Sequence, residues 1–274
     1  MRGGLVRKRS TPRCARLSAM PATLSVNVNK IALLRNARAG QVPSVIELSR
    51  IALDAGAAGI TVHPRPDQRH IRVADVDALA ELLASPEYAD REFNIEGNPL
   101  DPDTGGLSEH LMPLLARVRP TQATLVPDAP GQSTSDHGFE LTDPAVRRRL
   151  EPIIQTLRGH GCRVSVFVDP DPDTAARAAD LGADRVELYT EAYARSHGRA
   201  QADAVLRQFV DTASRAHAAG LGINAGHDLN LDNLGPFARA IDGLQEVSIG
   251  HALIADALRL GMTQAVRAYR RLLD

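Results

Sequence analysis

A length of 274 residues with 43% hydrophobic content is enough for one barrel domain with a core of ordinary size, and it favours one domain over several. The 32 basic and 33 acidic side chains nearly cancel, which excludes a global field that recruits nucleic acid or an anionic membrane, so an anionic ligand must be held locally. No apolar stretch reaches the roughly 18 residues of a membrane span, and Cys14 and Cys162 lie far apart, so we expect a soluble, cytoplasmic protein with reduced thiols.

The first 22 residues are basic and have neither an acidic residue nor apolar periodicity. Their positive charges are Arg2, Arg7, Lys8, Arg9, Arg13 and Arg16. We expect a disordered extension over 1–22, either a dispensable tail or a segment upstream of the true start at Met20, with an organellar targeting peptide as the alternative. The catalytic domain is then predicted to span 23–274.

From residue 23 onward, short β-rich runs alternate with longer segments of helical period, which is typical of repeated βα units. The predicted strands cover 24–29, 59–63, 92–96, 122–127, 163–169, 185–190, 222–226 and 246–250. The predicted amphipathic helices cover 45–53, 76–83, 144–157, 174–181 and 204–219. Eight such units predict a (β/α)₈ barrel (TIM barrel), and a doubly wound open sheet is the alternative.

A weak internal repeat supports the barrel. The segments DAGAAGITVHPR, GHGCRVSVFVD, DLGADRVELYT and AAGLGINAGHD each run from a glycine through a strand to a polar residue. The glycines Gly56, Gly161, Gly182 and Gly220 are predicted to end the preceding helices in the left-handed conformation. The strands therefore deliver polar side chains at one end, which in a barrel is the face where active sites are built.

Polar residues and glycines collect at the carboxyl ends of the predicted strands. They are Asn27, Asn29, Lys30, His63, Arg65, Glu96, Asn98, Asp128, Asp169, Glu187, Thr190, Asn224, His227, Gly250 and His251. A structural hydrogen bond is an equal alternative for Asn98 and Asp169. Two histidines and two glutamates from four different strands, His63, Glu96, Glu187 and His227, favour general acid and base catalysis in a closed cavity.

Two glycine-histidine segments are predicted to bind phosphate. NAGHDLN (224–230) follows the seventh strand and SIGHALI (248–254) follows the eighth, and these two loops commonly form the phosphate site of a barrel. A helix beginning at about His251 would add a favourable dipole. Arg35 and Arg38, after the first strand, are candidates for a second anion, although a solvated surface position is favoured for Arg35.

Two other chemistries fit some of these residues. His63, Glu96, Glu187 and His227 have donor atoms that suit a divalent cation, but no compact ligand motif concentrates them, so we expect no metal. Lys30 is the only lysine beyond the N-terminal extension, and it follows the first strand, where it would suit a Schiff-base aldolase. A contact from Lys30 to a phosphate or hydroxyl group is the milder alternative.

From about residue 24 to the C-terminus the sequence resembles the pyridoxine 5′-phosphate synthase family. The resemblance is carried, in order, by VNVNKIALLRNAR, GITVHPRPDQRHI, FNIEGNP, TLVPD with STSDHG, RVELYT, GINAGHD and VSIGHAL. It implies a (β/α)₈ barrel that condenses 3-amino-2-oxopropyl phosphate with 1-deoxy-D-xylulose 5-phosphate, releasing phosphate and water, without metal or organic cofactor. It also implies a homo-oligomer, typically an octamer.

The resemblance assigns roles to residues of the matching motifs. It implies that His63 accepts a proton, that Glu96 is a second acid/base group, that His227 donates a proton and that Glu187 stabilises charged intermediates. The residues implied at the aminoketone phosphate are Asn27, Arg38, Asp228, Gly250 and His251. Those implied at deoxyxylulose phosphate are Asn29, Lys30, Arg65, His70 and Thr134.

The sequence departs from the family pattern at three points. Asn29 and Lys30 replace the usual Asp-His, Asp228 replaces a common glycine, and Glu191 replaces the glycine after Thr190. The first change bears on the deoxyxylulose phosphate contacts. Asp228 can still donate its backbone N–H to phosphate, but its carboxylate must turn away to avoid like-charge repulsion. The functional alternatives are a phosphosugar aldolase or isomerase on the same barrel and a non-enzymatic phosphoester-binding barrel.

Overall fold

Eight parallel strands close into a barrel in the computed structural model, which describes residues 21–100, 106–129 and 131–274. The strands are β1 (Thr23–Asn27), β2 (Gly59–Val62), β3 (Glu92–Gly97), β4 (Gln122–Leu125), β5 (Arg163–Val168), β6 (Arg185–Leu188), β7 (Gly222–Ala225) and β8 (Leu244–Ile249). Each strand pairs with the next, and β1 pairs with β8 to close the ring. The predicted barrel is confirmed and the open sheet is wrong. The extension predicted over 1–22, with Cys14, lies outside the described residues except for its last two.

Helices surround the barrel. They are α1 (Asn29–Asn36), α2 (Val45–Asp54), α3 (Val73–Ala84), α4 (Leu111–Val118), α5 (Pro144–Gly159), α6 (Pro172–Asp180), α7 (Glu191–Ser196), α8 (Ala202–Ala218), α9 (Leu234–Ala240), α10 (His251–Leu260) and α11 (Met262–Arg270). The five predicted helices are confirmed with ends within three residues. Within the described ranges, no helix combines the length and the apolar character needed to cross a membrane.

Side-chain caps and glycines set the helix ends. Ser44 accepts a hydrogen bond from the Glu47 backbone N–H (3.1 Å) at the start of α2, and Asp171 accepts one from Thr174 (2.7 Å) at the start of α6. The four glycines predicted to end helices all adopt positive φ, between +79° and +101°. Because only glycine takes this conformation at no steric cost, these positions return the chain tightly to the next strand.

The two faces of the strands bury different chemistry. Outward-facing residues such as Val26 and Ile60 are fully buried in the apolar layer beneath the helices. The interior of the barrel is polar, since the Asn224 amide donates to Gln122 across the barrel (3.3 Å) and Arg185 donates to Glu246 (3.0 Å). Asn224, which the sequence places among the strand-end polar residues, is thus an interior hydrogen-bonding residue below the site.

Arg35 has a structural role that the sequence does not predict. Its side chain is only 3% exposed, it donates to both carboxylate oxygens of Asp75, and it donates to the His70 carbonyl (3.1 Å). A guanidinium paired in this way is neither solvated nor free to bind a second anion. It ties α1 to α3 and to the segment that carries His70.

Candidate active site

A cavity of about 350 Å³ opens at the carboxyl ends of the strands. Its walls contain the four predicted catalytic residues His63, Glu96, Glu187 and His227. They also contain nine predicted substrate-binding residues: Asn27, Asn29, Lys30, Arg65, His70, Thr134, Asp228, Gly250 and His251. Arg38 does not line this cavity, because it lies exposed in the turn after α1. The structure therefore brings the predicted residues together, with that exception.

His63 follows β2 and lies between two carboxylates. Its Nδ1 is 3.9 Å from Glu96 Oε2, and its Nε2 is 3.8 Å from Asp128 Oδ2. The His63 backbone N–H donates to the Asn29 side chain (2.9 Å), which fixes the end of the strand. Burial, followed by the positive charge of Arg65, holds the pKa of His63 well below its usual value. At neutral pH the imidazole is uncharged, and an uncharged imidazole can accept a proton.

Glu96 on β3 is largely buried and Glu187 on β6 is buried, and both line the same cavity. Burial, followed by the charge of Glu187, raises the pKa of Glu96 well above its ordinary value. Burial and the nearby Glu246 raise the pKa of Glu187 to about 8. Burial therefore favours the protonated form of both carboxyls, and for Glu187 this holds at neutral pH. The Asn27 amide, 3.4 Å from Glu96 Oε2, holds the Glu96 carboxyl in place.

The loop after β7 passes close to the end of strand β8. A Cβ on Gly226 would collide with the backbone carbonyl of Ser248, so only glycine fits there. Helix α10 begins at His251, as predicted, and Gly250 caps it without a side-chain hydrogen bond. Backbone N–H groups at the start of α10 therefore face the rim of the cavity, where a helix N-terminus favours an anion.

Arg65, His70 and Lys30, which follow the neighbouring strands β1 and β2, form a basic part of the cavity wall. Arg65 is buried and its guanidinium donates to Asp128. Burial, followed by the charges of Arg65 and Lys30, lowers the pKa of His70 to about 4. The neutral His70 ring accepts the Ile71 backbone N–H at Nδ1 (2.9 Å), which leaves its proton on Nε2.

His227 lies in the loop after β7, between a hydroxyl and a carboxylate. Its Nε2 is 2.7 Å from the Thr134 hydroxyl, and its Nδ1 is 2.8 Å from Asp228 Oδ2. The edge of the ring packs against Tyr189, with ring centres 5.5 Å apart. The Asp228 backbone N–H, expected from the sequence to face phosphate, donates to the Thr190 hydroxyl (3.3 Å).

Several residues that line the cavity were not predicted from the sequence to belong to the site. Val126 and Phe167 line an apolar wall, and Ser133, Ser135 and Ser248 add hydroxyl groups. Asp128 appears among the strand-end residues but receives no role there. The signal was present, since Asp128 directly follows the fourth predicted strand, as His63 ends the second. Asn98, by contrast, makes structural bonds, donating to the Asp128 carbonyl (3.0 Å) and accepting from Leu100 N–H (2.9 Å).

Metal binding has no arranged site among the residues described. In the ranges 21–100, 106–129 and 131–274, no three histidine, cysteine or acidic side chains are grouped as ligands. The Asp128 carboxylate near His63 instead accepts hydrogen bonds from Arg65 and from the Ser135 hydroxyl (3.0 Å).

Comparisons with known proteins found similar sequences over nearly the whole chain. The family described as "Pyridoxal phosphate biosynthesis protein PdxJ" matches residues 24–274. The pyridoxine 5′-phosphate synthase of Xanthomonas axonopodis pv. citri is 54% identical over 250 residues, covering 91% of this chain and 96% of the relative. That of Albidiferax ferrireducens is 53% identical over 253 residues, covering 92% and 97%.

Solved structures share the fold at much lower identity. A tryptophan synthase from M. tuberculosis has a TM-score of 0.60 at 14% identity, covering 92% of this chain and 93% of that one. A 4-hydroxy-2-oxoglutarate aldolase has a TM-score of 0.55 at 14% identity, covering 92% and 94%. These two likenesses support the barrel architecture alone.

Proposed function

The chain belongs to the PdxJ family of pyridoxal phosphate biosynthesis proteins, and we propose that it is a pyridoxine 5′-phosphate synthase. It condenses 3-amino-2-oxopropyl phosphate with 1-deoxy-D-xylulose 5-phosphate to give pyridoxine 5′-phosphate, phosphate and water. The observation that carries this proposal is the identity of 54% over nearly the whole chain to a relative of that name. The single cavity that contains His63, Glu96, Glu187 and His227 supports it.

The proposed chemistry needs several proton transfers at neighbouring atoms. An amine adds to a ketone, water leaves, phosphate is eliminated, and a carbon–carbon bond closes the ring. Neutral His63 is suited to accept a proton, while the carboxyls of Glu96 and Glu187 hold protons that they can release. The 3.9 Å separation of His63 Nδ1 from Glu96 Oε2 lets both act on one substrate atom or on adjacent ones.

Two phosphorylated substrates need two anion sites. We assign one to the cradle at Gly250, His251 and the start of α10, and the other to Arg65, His70 and Thr134. These groups line one cavity, so both substrates are held together before they react. Well-oriented intramolecular reactions gain roughly 7 to 11 kcal/mol, which makes this arrangement a large part of the proposed acceleration.

The proposal extends to assembly and compartment. We propose a homo-oligomer, an octamer by family resemblance, that works in the cytoplasm. Exposed apolar side chains support self-association, in particular Leu33 and Leu34 on α1 and Val42, which is 85% exposed. Light scattering on the purified full chain tests the assembly, and a monomer at all concentrations would contradict it.

A second candidate function is a Schiff-base phosphosugar aldolase. The observation that favours it is the position of Lys30, which lines the same cavity as His63 and Glu96. A lysine amine at that position can reach a bound ketone. The synthase is preferred because an aldolase of this kind leaves the paired carboxyls of Glu96 and Glu187 without a task.

Incubation of the pure protein with both phosphorylated substrates tests the synthase directly. The expected result is a pyridoxine-like absorbance, with the product mass and one phosphate released per product, and no product when either substrate is omitted. His63→Gln should abolish product, whereas His217→Gln, the same change on the exposed surface of α8, should not. A folded protein that forms no pyridoxine 5′-phosphate would overturn the proposal.

A further inference from the structure

The carboxylate of Asp228 lies against the imidazole of its neighbour His227. Asp228 Oδ2 accepts from His227 Nδ1 at 2.8 Å, and on the far side of the ring Nε2 lies 2.7 Å from the Thr134 hydroxyl. We infer that Asp228 is a positioning residue whose carboxylate fixes the orientation and tautomer of His227, so that Nε2 is the nitrogen offered to the cavity. This inference rests on the proposed function, in which His227 is the proton donor.

The hydrogen-bonding chemistry of the three groups allows one arrangement. An ionised carboxylate only accepts hydrogen bonds, so Nδ1 of His227 must carry a proton toward Asp228. A neutral imidazole then has a bare Nε2, which accepts from the Thr134 hydroxyl. When Nε2 gains a proton, the Asp228 carboxylate compensates the positive charge of the ring. His227 can thus take up and release a proton at Nε2 while Nδ1 stays protonated.

The backbone of Asp228 is held on both sides, which makes its carboxylate a fixed partner. Its N–H donates to Thr190 Oγ1 (3.3 Å), and its carbonyl accepts from Asn233 Nδ2 (3.4 Å). The Thr190 hydroxyl in turn donates to the Gly226 carbonyl (3.0 Å), directly before His227. These bonds anchor the loop independently of any substrate, so the pairing of Asp228 with His227 is built into the loop.

The neighbouring ring of Tyr189 limits how His227 can turn. The two rings meet edge to face at 73°, and the Tyr189 hydroxyl is drawn to Glu191 Oε2 (3.1 Å). With the Tyr189 ring packed beside it and Asp228 at Nδ1, the imidazole keeps Nε2 toward Thr134. The Asp228 carboxylate is turned toward the His227 ring. This is also the orientation expected of a carboxylate that must avoid a bound phosphate.

The expected effect of removing the carboxylate is moderate. In the serine protease triad, replacing the buried aspartate by asparagine lowers turnover by about 10⁴ because the wrong tautomer forms. The Asp228 side chain is 33% exposed and the His227 side chain 27%, so water competes for Nδ1. A loss of about tenfold to a hundredfold in kcat is therefore expected for Asp228→Asn, with KM values for both substrates within about twofold.

Two measurements on the full chain test this inference. The first is the kcat and KM of Asp228→Asn, of Asp228→Glu, which should recover part of the loss, and of Asp232→Asn as a control. Asp232 is an exposed acid in the same loop, so its loss removes the same charge without touching His227. The second is the nitrogen NMR spectrum of histidine-labelled protein at alkaline pH, with His227 assigned by difference from His227→Gln.

The wild type should give a protonated Nδ1 and a bare Nε2, and Asp228→Asn should mix the tautomers. A normal kcat with an unchanged tautomer in Asp228→Asn would overturn the inference. A raised KM with a normal kcat would also overturn it, because Asp228 would then be a substrate ligand. If the wild type makes no product, the proposed function fails, but the NMR measurement still decides the Asp228–His227 pairing. Asp228→Glu keeps the test open if the asparagine variant does not fold.

Discussion

The guanidinium of Arg65 donates to the carboxylate of Asp128, and both side chains are buried, with 7% and 3% of their surfaces exposed. The same Asp128 oxygen accepts from the Ser135 hydroxyl (3.0 Å) and lies 3.8 Å from His63 Nε2. Arg65 also forms part of a second cavity of about 400 Å³ beside the first. This ion pair therefore orients Arg65, which we propose binds a substrate phosphate, and it forms part of the cavity wall beside His63.

Asp128→Asn should destabilise the protein because it leaves the Arg65 charge buried without a counter-charge. The expected loss is about 3 kcal/mol or more in the free energy of unfolding, as for other broken buried pairs. Asp77→Asn is the matched control, since its partner Arg117 is 53% exposed and such pairs contribute less than about 1 kcal/mol. Urea denaturation of both variants measures the difference, and equal stabilities would contradict a role for the pair in the fold.

Glu96→Gln should lower turnover by about 10² or more while substrate binding changes far less. Glutamine keeps the shape of the side chain and its hydrogen bond from Asn27, but it cannot exchange a proton. Because burial raises the pKa of Glu96, folding favours the uncharged form of this side chain, so the uncharged glutamine should be tolerated and the variant should fold normally. Single-turnover kinetics and substrate titration measure the two effects. A variant with normal kcat would remove Glu96 from the proposed mechanism.

Glu187→Gln should change how stability depends on pH. The folded-state pKa of Glu187 is raised from 4.5 to about 8, so folding favours its protonated form. The stability that this provides is fully present below about pH 4.5 and is lost as pH rises through about 8, at about 1.4 kcal/mol per pH unit. The variant has no such loss. Melting curves should therefore show that the melting temperature of the variant rises relative to that of the wild type between pH 5 and 8. A difference that stays constant with pH would contradict the raised pKa of Glu187.

The sequence predicts the strands well because each combines a β-rich run with a polar residue at its end. Helix α1 was missed, and the predicted first strand runs on to Asn29, whereas β1 ends at Asn27 and α1 begins at Asn29. Helices α4, α7 and α9 are short, with eight, six and seven residues, and give too few turns for a periodic signal. The helix period identifies long amphipathic segments, and short connecting helices depend on tertiary packing.

The sequence predicts those site residues whose place is set by their position along a strand. It does not predict residues whose role depends on a partner far away in the sequence. His63, Glu96 and Glu187 end or nearly end strands, so barrel closure alone brings them together. Arg35 depends on Asp75, forty residues away, and no local pattern announces that pair. Arg38 lies only three residues further on, yet it stays outside the cavity, because α1 turns it to the surface.

Dialysis against EDTA should leave activity unchanged. The mechanism assigns protons to His63, Glu96 and Glu187, and a metal is not needed to polarise the carbonyl. Turnover before and after dialysis, with metal content measured by atomic absorption, checks this. Activity lost on chelation and restored by one divalent ion would replace the acid and base mechanism with a metal-assisted one.

Lys30→Met should separate the synthase from the Schiff-base aldolase. Lys30 is half-buried in the cavity wall, near His70 and the other basic groups. If its ammonium only contacts a phosphate or hydroxyl, the variant should lose roughly 1.5 to 3 kcal/mol of deoxyxylulose phosphate binding and keep most of its turnover at saturation. If Lys30 is the covalent amine, the variant should be inactive at every substrate concentration, and borohydride should trap ketone substrate on the wild type alone.

The lysine content of the chain makes the trapping experiment unambiguous. The chain has only two lysines, Lys8 and Lys30, so a peptide map distinguishes them. Lys8→Met is the matched control, because it removes the same group from the N-terminal segment and should leave both kinetics and trapping as in the wild type. A raised KM with near-normal kcat and no adduct is the expected result. A borohydride adduct on Lys30 would instead show that the Lys30 amine is the nucleophile. The reaction would then pass through an iminium, which is aldolase chemistry, and His63 and Glu96 would serve the step that cleaves or forms the carbon–carbon bond.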